Sequence, residues 1–273
     1  MPSELDQFAR SAREVVNDVP IVDIWRPGTH VNDRSPQLSA GLDRLGWRDL
    51  AAGDEDTLPF LGVAALELGR QAASPYDIIQ LLGGSPLVGG LAMYGEPGQQ
   101  AASTDPHGYL LATITRSSPV MFADSLGVHA VSDVDEAQPI DGGADKRQAA
   151  WEAATVGYFA GLATFVVDAA IEYARARDIF GRTLAHLDAV QQRLADAATT
   201  TDALVLSARE GAHGLPALAH AASSTWSVML HGHMIFGAIG FTLEFPLQRY
   251  SRRTKALGAF VDGWIDQRIG YGG

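Results

Sequence analysis

The 273-residue sequence contains no cysteine. That absence removes disulfides, thiolate nucleophiles and cysteine-ligated zinc from the possible chemistries. Basic residues are scarce beside acidic ones: 20 Lys and Arg face 32 Asp and Glu, a formal charge of -12. A field of that sign argues against nucleic acid or an anionic bilayer as partner. A local arginine cluster can still hold an anion. No apolar run reads as long enough to span a bilayer. The opening stretch MPSELDQFARSAREVV is polar and lacks the apolar segment of a signal peptide. A soluble, cytoplasmic chain is expected. The sequence also lacks a solenoid repeat and a low-complexity tract.

What is present is mainly helical, in three zones. Residues 1–95 mix short helical patterns with loops such as Trp25-Arg26-Pro27-Gly28. Leu58, Leu61, Ala65, Leu68 and Ala72 recur at helical spacing, which predicts a helix from Thr57 to Ala72 stopped by Ser74-Pro75. A shorter helix is expected from Tyr76 to Leu82, ended by Gly83-Gly84. Residues 96–145 carry three candidate strands, at 109–115, 119–123 and 127–131, separated by turn residues. This is too little for an independent barrel and reads as a small sheet leaning on helices. Residues 146–273 carry four apolar stripes at helical period, the third opened by Pro216, and predict an antiparallel four-helix bundle.

Two segments of the bundle zone stand out. One runs Tyr173, Arg177, Phe180-Gly181, then Ala189-Val190-Gln191 and Leu194-Ala195-Asp196. The other runs from Phe236-Gly237 through Gly240-Phe241-Thr242 to Glu244, and on into Arg249, Arg252, Arg253 and Lys255. In order and spacing they resemble the C-terminal bundle of the acyl-CoA dehydrogenase family. Glu67-Leu68-Gly69-Arg70, followed by Ser74-Pro75, is similar to a segment of that family's helical N-terminal domain. The resemblance fails in the middle of the chain, where the family's larger flavin-facing β-domain would stand. Glu96-Pro97-Gly98 alone is similar to part of that domain's Thr-Glu-Pro segment. The implied fold is mainly α: an N-terminal helical domain, a small reduced β region and a C-terminal four-helix bundle.

The resemblance implies FAD at a subunit interface. Arg177 would reach the pyrophosphate of a neighbour's cofactor, and Phe180 would pack near its flavin. Gly237, Gly240 and Thr242 would shape a turn that lets backbone approach the adenosine half. The plainer alternatives are a solvated helix-end cation, a core phenylalanine, and a helix-to-helix turn with Thr242 as N-cap. Asp188, Met234 and Ala238 depart from the family pattern and weaken the half-site. The Tyr-Glu-Gly-Thr segment that commonly carries the catalytic Glu is missing. Glu152 is the candidate for a base moved to the first bundle helix, against the plainer expectation of a solvated first-turn residue. His231 and His233 do not share a helix face, so no metal is expected.

The resemblance, taken with these departures, implies the non-catalytic subunit of an actinobacterial α2β2 acyl-CoA dehydrogenase acting on a steroid-CoA thioester. A longer catalytic subunit would hold most of the FAD and substrate. A pure scaffold that touches neither flavin nor substrate is the alternative. A self-sufficient small dehydrogenase using Glu152 is a third reading.

Overall fold

A computed structural model of the chain describes residues 3–19, 33–105, 108–120, 126–139, 143–179 and 181–270. The Trp25–Gly28 loop, residues 121–123 of the second expected strand, Phe180 and the final three residues lie outside the described residues.

The N-terminal zone is helical: α1 (Glu4–Asn17), α2 (Pro36–Arg44), α3 (Trp47–Ala52), α4 (Leu58–Arg70) and the single turn α5 (Tyr76–Ile79). A reciprocal capping box between Ser3 and Asp6 starts α1. The helix expected at 57–72 is α4. Gly83 at φ 84° ends the short helix after a 3-10 turn, as its sequence predicts.

The β region is richer than the sequence implies. It comprises β1 (Ser85–Val88), β2 (Leu91–Ala92), β3 (Gln100–Asp105), β4 (Gly108–Pro119), β5 (His129–Val134) and β6 (Gln138–Pro139). The first two strands begin ahead of the expected boundary at residue 95. The spatial order is β3-β1-β2-β5-β4-β6, and β3 also pairs with β4, so the strands close on themselves. β4 serves both sides because its register shifts between Ile114 and Ser117. A small apolar centre of Ala92, Ala101 and Ile114 fills the ring. Gln-Ala-Ala-Ser-Thr-Asp in β3 has little intrinsic strand character, and its cross-strand pairing overrides that preference.

The bundle has the four expected helices. α6 (Ala144–Ala176) is followed by a hairpin of β7 (Asp178–Ile179) and β8 (Arg182–Thr183), then α7 (Asp188–Arg209), α8 (Leu215–Phe236) and α9 (Leu247–Ile269). By length and composition α6 could cross a bilayer, which corrects the sequence expectation. Most of its apolar stretch is buried in the protein's own core. α4 and α6 touch backbone to backbone. A Cβ at Gly157 would run into the carbonyl oxygen of Gly62, and one at Gly161 into that of Leu66. One hydrophobic core joins all three zones, from Leu38 through Tyr109 and Phe159 to Trp264.

Of the basic run on α9, Lys255 is exposed, Arg249 and Arg252 are partly buried and Arg253 is buried. Arg253 is fully buried, paired with Asp33 at 2.6 Å and donating to the carbonyl of Ala73 at 2.9 Å. Arg249 donates to the carbonyl of Ala72. Cations thus meet the carbonyls just beyond the C-terminal end of α4, where the helix dipole favours them. Tyr94 donates to the other Asp33 oxygen at 2.6 Å, so the N-terminal zone, the β region and α9 share one buried polar junction.

Candidate functional site

The two motif segments meet at one end of the bundle. The ring of Tyr173, in the last turn of α6, lies 5.0 Å from that of Phe236, the last residue of α8. Phe236 in turn packs on Phe245 at 4.6 Å. Arg177 follows directly as the C-cap of α6. Its backbone N–H donates to Tyr173 and its carbonyl accepts from Leu184, which ties the root of the hairpin, while its side chain is exposed. Gly181, at φ 79°, turns the hairpin.

At the end of α8 the chain enters a 3-10 turn, Gly237–Phe241. Gly237 has φ 61° and ψ -140°, a conformation open to glycine and strained for other residues. Gly237 is exposed and Gly240 is buried. Thr242 is not the N-cap of α9. Pro246 holds that position, and the Thr242 hydroxyl bonds back to the carbonyl of Ile239 at 2.9 Å. Asp188 is exposed in the first turn of α7, where the dipole stabilises a carboxylate. Met234 and Ala238 are also exposed.

Glu152 lies elsewhere and is not solvated. It sits in the third turn of α6 with only 2% of its surface exposed. One carboxylate oxygen accepts from Gln148 Nε2 at 2.8 Å, the other from the Gly214 N–H at 2.7 Å. Burial raises its pKa, partly offset by these two hydrogen bonds and by His213 and Arg268. Its residue lines an open cleft of about 640 Å³ together with Asp54, Lys146, His213 and Arg268. A second, apolar cavity between α5, α6 and α9 is bordered by Trp151, Thr155, Tyr158, Phe260 and Val261. Its free space is about 20 Å³, enough for a single water and not for an acyl chain. Among the described residues no carboxylate borders it. Sequence reasoning missed the Asp33–Arg253 junction, because nothing near Asp33 marks it as a partner for a residue 220 positions away. Among the described residues no cluster of His, Asp and Glu could hold a metal.

Residues 144–263 match the family model for the acyl-CoA dehydrogenase C-terminal domain. Over those residues the bundle is similar to that family's C-terminal domain. Within that span lie Glu152, Arg177, Gly237, Gly240 and Thr242. Probable acyl-CoA dehydrogenases FadE25 of Mycobacterium tuberculosis and Mycobacterium bovis are 34% identical to the chain over 107 residues, covering 35% of it. The chain matches only 28% of those relatives' length.

The acyl-CoA dehydrogenase fold extends over the whole chain. A glutaryl-coenzyme A dehydrogenase in complex with glutaryl-CoA superposes with a TM-score of 0.71 at 17% identity, covering 99% of this chain and 94% of that one. A variant of the Tcur3481–Tcur3483 steroid ACAD gives 0.70 at 19% identity, covering 98% and 97%. The ChsE4–ChsE5 complex from Mycobacterium tuberculosis gives 0.68 at 16% identity, covering 99% and 97%.

Proposed function

We propose that this chain is the non-catalytic subunit of a heteromeric, FAD-dependent acyl-CoA dehydrogenase. A longer partner would hold most of the cofactor and the acyl-CoA. The observation that carries this reading is a contrast between two places. Arg177 and Gly237 are both exposed, each close in sequence to one ring of the Tyr173–Phe236 contact at one end of the bundle. The apolar cavity beside Trp151 holds only about 20 Å³, and among the described residues no carboxylate borders it. Similarity to a protein described as a steroid ACAD and to the ChsE4–ChsE5 complex supports a heteromer acting on a steroid side-chain thioester. An α2β2 assembly is the form we favour.

The residues present fit one side of an FAD site. The exposed Arg177 guanidinium suits forked bonds to a pyrophosphate. The space above Gly237 is open, with nothing within 4 Å of the position a Cβ would take. FAD supplies hydride acceptance in α,β-dehydrogenation of a thioester. This chain's part is to hold and orient the cofactor's phosphate and adenosine end.

The test is to purify the chain alone and together with a longer acyl-CoA dehydrogenase polypeptide encoded beside it. Arg177→Ala is expected to weaken FAD retention by the complex by about 10–100-fold, the loss of charged hydrogen bonds. Full flavin content and turnover in the lone chain would overturn the proposal. A scaffold that touches no flavin is the second reading, favoured by Met234, Ala238 and Asp188 at the same end. Unchanged FAD occupancy in Arg177→Ala would select it.

A further inference from the structure

The cleft of about 640 Å³ around Glu152 has no part in the cofactor site proposed above. It opens near the start of α6, whereas Arg177 caps the other end of that helix. Its volume falls within the ~300–1,000 Å³ of small-molecule pockets. The α3–α4 connection, the first turns of α4 and α6, the α7–α8 loop and the end of α9 together line it.

Hydrogen-bond acceptors collect in this cleft. Asp145, Ala149 and Glu152 follow one another on α6 at i, i+4 and i+7, which places them on one helix face. Asp145 and Glu152 are therefore about 10 Å apart along the axis, with a small apolar side chain between them. Each oxygen of the buried Glu152 accepts one bond from the protein, from Gln148 or from the Gly214 N–H. A carboxylate offers about four lone-pair sites, so each oxygen keeps room for a further donor. His213 donates Nδ1–H to the Gly211 carbonyl at 3.0 Å, because a carbonyl can only accept. Its Nε2 is then an acceptor in the neutral ring. Glu55 and Asp145 are exposed and have no ion-pair partner among the described residues.

The charges on the lining favour a cation. Four carboxylates, Asp54, Glu55, Asp145 and Glu152, face two permanent cations, Lys146 and Arg268. Lys146 is already paired with Asp54 at 2.6 Å. Arg268 acts on Glu152 more weakly than Gln148, Gly214 and His213 do. A bare metal ion fits poorly, since among the described residues no three His, Asp or Glu come together to hold one. Leu58 and Ala149 give the cleft an apolar wall suited to methylene groups.

We propose that this cleft binds a linear aliphatic polyamine. One ammonium donates to Glu152 and to His213 Nε2, a second is held by Glu55 and Asp145, and the carbon chain between them lies over Ala149 and Leu58. The proposal stands or falls independently of the FAD reading, because the two sites lie at opposite ends of α6.

The experiment titrates spermidine into the full chain by calorimetry at neutral pH and low salt, with inorganic phosphate as the contrasting probe. Saturable 1:1 binding of spermidine is expected, and none of phosphate. Glu152→Gln is expected to weaken spermidine binding about 10–100-fold, the loss of charge-assisted hydrogen bonds. That change also touches the fold, so the exposed pair Glu55→Gln with Asp145→Asn repeats the test on an intact core, with an expected weakening of about 3–10-fold. Glu172→Gln with Asp202→Asn removes the same charge outside the cleft and is expected to leave affinity within about twofold. Absence of saturable spermidine binding to the wild type overturns the proposal. Wild-type affinity in Glu152→Gln overturns it too. Equal weakening by the two exposed pairs would mean that spermidine follows the net charge of -12 and not the cleft. Phosphate bound in preference to spermidine would make this an anion site and end the proposal.

Discussion

Tyr173 and Phe236 close the bundle at the end where its two motif segments meet, their rings 5.0 Å apart and tilted by 52°. The contact sets the position of Arg177, four residues on from Tyr173, relative to the glycine turn that starts at Gly237. Phe236 is 3% exposed and carries Phe245 on another side. Phe236→Ala therefore removes a shared packing face, and it is expected to cost about 3–5 kcal/mol. Urea denaturation of the lone chain measures it. A loss under about 1 kcal/mol would mean that the two segments are held together by something else.

Arg253 and Asp33 form a pair with side chains 0% and 6% exposed. Arg253→Ala leaves Asp33 as a buried charge whose remaining protein partners are neutral hydroxyls, from Tyr94 at 2.6 Å and Ser74 at 3.2 Å. The expected cost is about 3–5 kcal/mol. The double variant Asp33→Asn with Arg253→Met removes both charges and is expected to recover a large part of that loss. A double variant no more stable than Arg253→Ala would show that the arginine's bonds to Ala73 and Tyr158 matter more than the ion pair.

The bundle was legible because its helices are long and bury one stripe each, so period alone identifies them. The short helix ending at Gly83 was legible from glycine chemistry. Strand β3 was not, because its small and polar residues adopt extended structure only through their neighbours. Of the site, Arg177 and the glycine turn were readable as motif positions. Their meeting through Tyr173 and Phe236 required the fold. The burial of Glu152 was invisible, since its partners are a side chain one turn back and a backbone N–H 62 residues away. The exposure of Phe241 was equally hidden: an aromatic in an apolar segment reads as core until the helix ends are placed.

Glu152 provides the sharpest test of the non-catalytic assignment. Glu152→Gln keeps one acceptor oxygen for two donors, so either Gln148 or the Gly214 N–H loses its bond. A cost of about 1–3 kcal/mol is expected, seen as a lower melting temperature. Turnover by the assembled dehydrogenase is expected to be unchanged within about twofold, because a missing general base would lower it by about 100-fold or more. A drop of that size in a folded variant would make Glu152 the base and end the assignment.

Asp77 gives a pH signature that depends on the fold alone. Burial pushes its pKa from the ordinary 3.8 up to about 6, with Asp43 adding to the rise and a hydrogen bond from Ser39 opposing it. Between about pH 4 and pH 6 the folded chain keeps this proton and the unfolded chain has released it. Stability from this group is therefore highest below pH 4, falls as pH rises through 6, and stays flat above. The difference corresponds to about 3 kcal/mol at neutral pH. Asp77→Asn cannot ionise and still offers Ser39 an acceptor at the 2.9 Å position. The variant should match the wild type at pH 4 and exceed it at pH 7.5 by about 2–3 kcal/mol, read from urea midpoints at the two pH values. Equal midpoints at pH 7.5 would mean that the carboxylate stays well solvated beneath Trp47 and Ser39.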